Sequence, residues 1–296
     1  MLADLDLLLI YIFCIADDLL PKKSWNARRR LTDAEVVTLC VAQSIMGITS
    51  DERFVKTAVK RLGHLFPALT ERSGFHKRRD RLADTIEALI ATVASQSPGW
   101  YDDVLLADST PVECARSRET VKRAGASSLG GAIADAADYG YCASHSRYFW
   151  GLRLHTLMAP DGTPRAMALT SPKASEREVC LQLLARVNRH GPVTVIADKG
   201  YAGREFERDA QSQGALILRP RRKDEPGRGL HLAPIRQRIE SIYWTAKDIL
   251  TLERHGARTL RGLRARIASR FLALAAAVAL NHQLGRSSRA LVDYVA

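Results

Sequence analysis

The sequence predicts a mixed α/β fold preceded by an all-helical region. Three observations carry this. Two short apolar runs, Val104–Ala107 and Val193–Ala197, each end in an aspartate, Asp108 and Asp198. Short apolar runs bounded by breakers read as buried strands. Helical periodicity fills residues 1–100 and returns between and after the two runs. Strands interleaved with helices give a mixed sheet with helices on both faces.

The 296 residues suffice for one large domain or two modest ones. A hydrophobic content of 46% excludes wholesale disorder. The net charge of +12 favours a polyanionic partner, nucleic acid being the commonest, over a merely soluble basic protein. The five cysteines are odd in number and form no Cys-x-x-Cys pair, which fits a reduced intracellular chain. Cys142 and His145 have a ligand-like spacing without a second pair to complete a zinc site. The apolar run Leu7–Ala16 is too short to span a bilayer and lacks a basic leader, so it reads as a buried helix.

Elements follow in order. Thr32 and Glu35 form a capping box ahead of a helix that runs to Gly47. A second helix starts near Ser50, and the basic patch Phe75–Arg81 precedes a third through Val93. Short basic helices suit a helix-turn-helix-like DNA reader or a merely solvated face. Ser95–Gly99 is a turn cluster and the expected domain boundary. The first buried strand then reaches Asp108, with Pro111 expected to end it. A flexible loop near the substrate is expected over Ala124–Ala137. Tyr148–Met158 and Pro164–Thr170 form a hairpin around the turn Asp161-Gly162. A helix starts at Ser175-Glu176, the strand Val193–Ala197 delivers Asp198, a helix covers Arg204–Gln211, and Ala215–Leu218 is another buried strand.

Pro234–Leu250 is a helix on which Arg236, Glu240 and Lys247 share one face. At roughly 100° per residue they fall within about 40° of one another. Such a row is commonly solvated i,i+4 pairing. Beside two strand-end aspartates, Glu240 becomes the candidate third carboxylate. Residues 252–284 read as one packing helix with an arginine-rich, phosphate-facing flank. Three clustered carboxylates repel one another and stay ionised only with cations among them. Hard oxygen ligands favour Mg²⁺ or Mn²⁺, and two such ions serve in-line phosphoryl displacement. The bland alternative is that Asp108 and Asp198 cap turns.

Several blocks resemble a known family: Asp108–Val112, Cys114–Arg123, Tyr139–Arg147, Asp198–Tyr201 and Arg236–Ser241. In that order they resemble the DDE transposases of bacterial insertion sequences, most closely the insertion-sequence 982 family. The resemblance covers the chain from Leu31 to Asn281. It implies a ribonuclease H-like mixed sheet flanked by helices, with Asp108, Asp198 and Glu240 as catalytic, metal-binding residues. Two Mg²⁺ ions, replaceable by Mn²⁺, are the implied cofactors. Related transposases carry a Tyr-x2-Arg-x3-Glu-x6-Lys signature; Arg236, Glu240 and Lys247 match it, and Ala233 stands at the tyrosine position.

The resemblance implies DNA strand cleavage followed by attack of the exposed 3′-hydroxyl on target DNA. A catalytically inactive DNA-binding derivative and a plain metal-dependent nuclease are the alternatives. Residues 1–97 are expected to be a DNA-binding region that recognises the element's terminal repeats. Residues 98–285 are expected to be the catalytic domain, and 286–296 a tail. Double-stranded DNA is the expected partner, met through Arg236, Lys247, Lys199, Arg116, Arg118, Lys122, Arg123, Arg221 and Arg222. Arg236 alternatively pairs with Glu240. A homo-oligomer on DNA, a cytoplasmic, nucleoid-associated location and no membrane association complete the expectation.

Overall fold

The computed structural model describes residues 4–22, 30–69, 72–115, 133–142, 146–187, 191–222, 225 and 232–294. In chain order the elements are α1 (Leu5–Leu19), α2 (Asp33–Ile45), α3 (Asp51–Arg61), α4 (Arg72–Arg81), α5 (Ala83–Ala94), β1 (Val104–Ala115), β2 (Asp138–Cys142), β3 (Arg147–Met158), β4 (Pro164–Thr170), α6 (Glu176–Leu184), β5 (Val193–Ile196), α7 (Arg204–Ser212), β6 (Ala215–Leu218), α8 (Ala233–Trp244) and α9 (Leu260–Gln283). Thr245–Ile249 forms a π-helical turn. The expected loop at 124–137 lies mostly outside the described residues.

The chain divides into two compact units, Met1–Gln96 with Thr245–Ala296, and Ser97–Trp244. The sequence reading carried the second domain to residue 285. By packing, the chain from Thr245 on groups with the N-terminal helices. The reason is α9: it is buried on every side from Leu263 to Asn281, Arg264 excepted, and an all-round apolar helix needs other helices around it. In the first unit α9 packs against α5 and α2.

Caps define these helices as expected. The Thr32 hydroxyl accepts from Glu35 N, and the Glu35 carboxylate accepts from Thr32 N, closing a capping box. Ser50 caps α3. The last helix departs from expectation. Residues 252–284 are not continuous: Leu252–Arg254 is a 3₁₀ turn, Gly256 takes φ 64°, and Thr259 caps a new start. Four arginines of the expected flank are engaged within the protein, while Arg254 and Arg258 are exposed. Arg261 donates to Asp80 O, Arg264 pairs with Glu87, Arg266 with Asp51, and Arg270 donates to Leu250 O. Within the 75–81 patch, Arg79 is 1% exposed and bonds Asp51, while Arg78 bonds Asp33.

The second unit is a six-stranded sheet in the order β2-β3-β1-β5-β6, with β4 also pairing β3. β1, β3 and β4 are antiparallel neighbours, and β5 and β6 run parallel to β1. The order β4-β3-β1-β5-β6, three antiparallel strands then two parallel ones separated by helices, is the ribonuclease H-like arrangement. The β3–β4 hairpin turns at Asp161-Gly162, where Gly162 takes φ 100°. Leu105 and Ala107 of β1, with Val193, Val195 and Ala197, face a core closed by Val179, Leu183 and Leu184 of α6 and Phe206 of α7.

One strand boundary is corrected. Pro111 does not end β1; the strand continues to Ala115, with Pro111 opposite Arg153. A proline lacks an N–H and is tolerated only where that edge is unpaired. Among the described residues β5 pairs β1 over Val104–Leu106 alone and no other strand pairs that edge beyond it.

Candidate active site

The register of the parallel strands carries Asp108 and Asp198 to one place. Leu106 lies opposite Ile196, and each aspartate follows its partner by two residues. Adjacent strands lie about 4.8 Å apart. Side chains alternate between faces. Ala107 and Ala197 both belong to the core beneath α6, which turns Asp108 and Asp198 to the opposite face. Asp198 keeps an extended backbone, φ −80° and ψ 175°, so the alternation holds past the strand end. Both residues are half-buried.

Asp198 also caps the 3₁₀ turn Lys199–Tyr201. Its Oδ1 accepts from Gly200 N at 2.6 Å. The turn-capping alternative therefore describes part of its role, and its second oxygen is not part of that bond. A Cβ on Gly200 would lie 2.8 Å from Asp198 Oδ1, so a larger residue there would displace the capping carboxylate. Asp108 sits inside a strand and caps no turn; its Oδ1 accepts from Ser109 N at 2.7 Å.

Helix α8 lies over this face. The Tyr243 hydroxyl donates to the Asp108 carbonyl at 3.1 Å and lies 2.8 Å from Thr156 Oγ1. Tyr243 has one proton and gives it to the carbonyl, so Thr156 donates to Tyr243. Burial raises the Tyr243 pKa well above 10.0, reinforced by the nearby Asp108 charge, and keeps the hydroxyl neutral. Glu240 is exposed on the same helix, three residues before Tyr243. Residues spaced i,i+3 have Cβ atoms about 5–6 Å apart. Glu240 is thus one helical turn from the residue that touches Asp108.

The other face carries a group that sequence reading did not single out. Ser109 Oγ donates to Glu176 Oε1 at 2.8 Å, and Arg153 Nη1 pairs with the same oxygen. Arg153 also donates from Nη1 to Ser109 Oγ at 3.2 Å and from Nη2 to Tyr141 O at 3.0 Å. In the sequence Glu176 marks only the start of a helix. No spacing rule links it to Asp108, because the two meet only through the sheet. Tyr201, buried between these groups, has its pKa pushed up by burial and then by the Glu176 charge.

The expected DNA contacts are placed unevenly. Lys199 is exposed beside Asp198, and Arg221 and Arg222 are exposed past β6, with Arg222 Nε donating to Lys199 O at 3.3 Å. Lys247 lies in the π-helical turn and pairs with Glu253 at 3.2 Å. Arg116, Arg118, Lys122 and Arg123 lie outside the described residues, as does the Arg236 side chain.

The donor set fits a hard divalent cation in kind: carboxylate oxygens on one face, with no thiolate or imidazole among the predicted ligands. Thr110 Oγ1, two residues beyond Asp108 on the same strand face, is buried and has no hydrogen-bond partner among the described residues. Among the described residues, however, no three His, Cys, Asp or Glu side chains stand close enough to hold a metal together. The two aspartates are brought to adjoining positions by the sheet, while Glu240 points to solvent.

Residues 100–276 match the model of the transposase DDE domain. The chain belongs to that family. Its match covers the whole β-sheet unit from Trp100 onward, so the DDE domain here contains both strand-end aspartates and Glu240. Among solved structures, the crystal structure of a pre-cleavage Mos1 transpososome is similar at 12% identity and a TM-score of 0.22, over 84% of this chain and 80% of that one. No curated protein matches the chain.

Proposed function

We propose that this DDE-domain chain is an insertion-sequence transposase of the 982 type, which cuts DNA at an element's ends and joins them to target DNA. The observation that carries this is the parallel register of β1 and β5. That register supports a shared site for Asp108 and Asp198 on the face where α8, the helix of Glu240, packs.

In this reading Asp108, Asp198 and Glu240 hold two Mg²⁺ ions, or Mn²⁺ in their place. Such ions, when bound, activate the attacking oxygen and stabilise the leaving one. The chain's own residues orient the reaction. Tyr243 fixes α8 to the Asp108 backbone and so sets where Glu240 stands. Lys199, Arg221 and Arg222 offer exposed cations beside Asp198 for phosphates. The same reading has Arg116, Arg118, Lys122, Arg123, Arg236 and Lys247 contact DNA phosphates. In cleavage a water oxygen bonds to phosphorus, the P–O3′ bond breaks, and the freed 3′ oxygen takes a proton. In joining, that 3′-hydroxyl oxygen bonds to a target phosphorus, and the target's bridging oxygen leaves.

The reading assigns residues 1–97 to DNA recognition, 98–285 to catalysis and 286–296 to a tail, with a homo-oligomer on double-stranded DNA in the nucleoid. No described helix is long and apolar enough to cross a membrane. The test uses the full chain, Mg²⁺, a labelled duplex carrying the element's end, and a target duplex. Cleaved and joined products are expected, with Asp108→Asn, Asp198→Asn and Glu240→Gln each at least about a hundredfold slower. Cleavage without joining would mark a nuclease, and binding without cleavage an inactive derivative. Full cleavage by Asp108→Asn would overturn the site.

A further inference from the structure

The β2–β3 ribbon carries a row of aromatic rings that the proposed chemistry does not use. Tyr141 pairs with Tyr148 across the strands, and Tyr139 with Trp150. Alternation puts all four on one face of the ribbon. Trp150 is buried, but Tyr139 is 51% exposed, Tyr141 48% and Tyr148 78%. The Tyr141 and Tyr148 rings lie 5.1 Å apart at 57°, so they brace each other without covering each other's faces. The ribbon's opposite face is packed: a Cβ on Gly140 would meet the Phe149 ring at 2.6 Å and Pro172 at 2.5 Å. The rings therefore stand on a backed platform.

This platform is tied to the acidic site. Arg153 donates to the Tyr141 carbonyl, to Ser109 Oγ beside Asp108, and pairs with Glu176. Two acids beside the ribbon are matched by cations: Glu113 by Arg147 at 2.6 Å and Asp138 by Lys173 at 2.6 Å. A polyanion meets no uncompensated negative charge from these two.

We propose that Tyr139, Tyr141 and Tyr148 form a stacking platform for unpaired bases of a DNA strand beside the cleavage site. The spacing favours a single strand over a duplex. Tyr139 and Tyr141 are two residues apart, about 6.8 Å along the strand. That is twice the roughly 3.4 Å rise per base of duplex DNA. A row with this pitch matches bases drawn apart from one another, each with a free π-face. That DNA is the strand concerned rests on the transposase reading above.

The test measures binding by fluorescence anisotropy, using a labelled twenty-nucleotide oligo(dT) and a twenty-base-pair duplex. The full chain is compared with Tyr141→Ala/Tyr148→Ala and Tyr141→Phe/Tyr148→Phe. The alanine pair should weaken oligo(dT) binding by about tenfold or more and duplex binding by less than about twofold. The phenylalanine pair, which keeps the π-faces, should bind like the parent and shows that the ribbon still folds. Unchanged oligo(dT) binding by the alanine pair would overturn the proposal. So would equal losses on both DNAs, or a loss with phenylalanine, which would mark a hydroxyl contact. Conversion of a DNA-free dimer to a monomer by the alanine pair, read by sedimentation, would assign the surface to a second copy and also overturn it. A chain that fails to cleave but loses oligo(dT) selectively keeps the platform and drops the transposase reading. A chain that cleaves and joins with unchanged alanine variants does the reverse.

Discussion

The Tyr243 hydroxyl donates a hydrogen bond to the backbone carbonyl of Asp108 at 3.1 Å, joining residues 135 apart in sequence. It is the described link between the strand of the first carboxylate and the helix of the third. Tyr243→Phe removes the donor and leaves the buried Thr156 hydroxyl without its acceptor. The expected cost is about 1–3 kcal/mol, measured by urea unfolding. Cleavage should fall more than DNA affinity, because Glu240 loses its positioning while the exposed cations remain.

The buried cluster of Arg79, Asp51 and Arg266 predicts acid sensitivity in the helical unit. Burial would raise the Asp51 pKa, but the hydrogen bond and charge of Arg79, then the charge of Arg266, outweigh it and hold the group below 3.8. A carboxylate with a depressed folded pKa stabilises above its unfolded pKa and loses that contribution as pH falls through the folded one. Asp51→Asn should therefore cost roughly 3–5 kcal/mol at pH 7, since it takes the shared carboxylate from two buried guanidiniums and leaves Asp80, 3.3 Å from Arg79, as their remaining nearby acid. The gap between variant and parent should close below about pH 4, followed by urea midpoints across pH.

His155 gives a second pH window in the sheet unit. Burial, then the Arg153 charge, lowers its pKa from 6.5 to about 4. The ring is neutral in the folded chain at pH 7, and the unfolded chain binds the extra proton between the two values. Stability should be fully present above pH 6.5 and fall as pH drops toward 4, by on the order of 3 kcal/mol. His155→Gln should flatten that slope in urea titrations. An unchanged slope would show that His155 is not its source.

Gly151 tests the β1–β3 pairing that holds the Asp108 strand. A Cβ there would lie 2.1 Å from the Val112 carbonyl, in backbone that cannot swing aside. Gly151→Ala should cost at least about 1–3 kcal/mol and lower the melting temperature. Gly191→Ala, with nothing within 4 Å of the added carbon, should leave it unchanged.

Much of this fold is legible because local rules decide it. The boxes and caps at Thr32, Ser50 and Ser175 set helix starts through bonds within one turn. The Asp161-Gly162 turn fixes the hairpin, and the two apolar runs deliver their aspartates. What was not legible depends on partners distant in sequence. Pro111 looks like a strand end, and only the short β5 pairing shows why it is tolerated mid-strand. Arg266 and Arg270 look like part of a phosphate-facing flank, and Arg79 like part of a basic DNA-reading or solvated patch; their carbonyl and carboxylate partners, which lie on other segments, make them interior groups. Strand β2 alternates aromatic and small residues too briefly to separate from the loop before it. Glu176 reached the Asp108 strand only through Ser109 and Arg153.

The central claim is that Asp108 and Asp198 form one cation-holding site. Titration of the full chain with Mn²⁺, read by electron paramagnetic resonance of the free ion, tests it without any DNA. The parent should bind Mn²⁺, and Asp108→Asn and Asp198→Asn should each abolish most of that binding. Asp103→Asn, which removes an exposed carboxylate just before β1, should bind like the parent. Parent-like Mn²⁺ binding by both Asp108→Asn and Asp198→Asn would contradict the account.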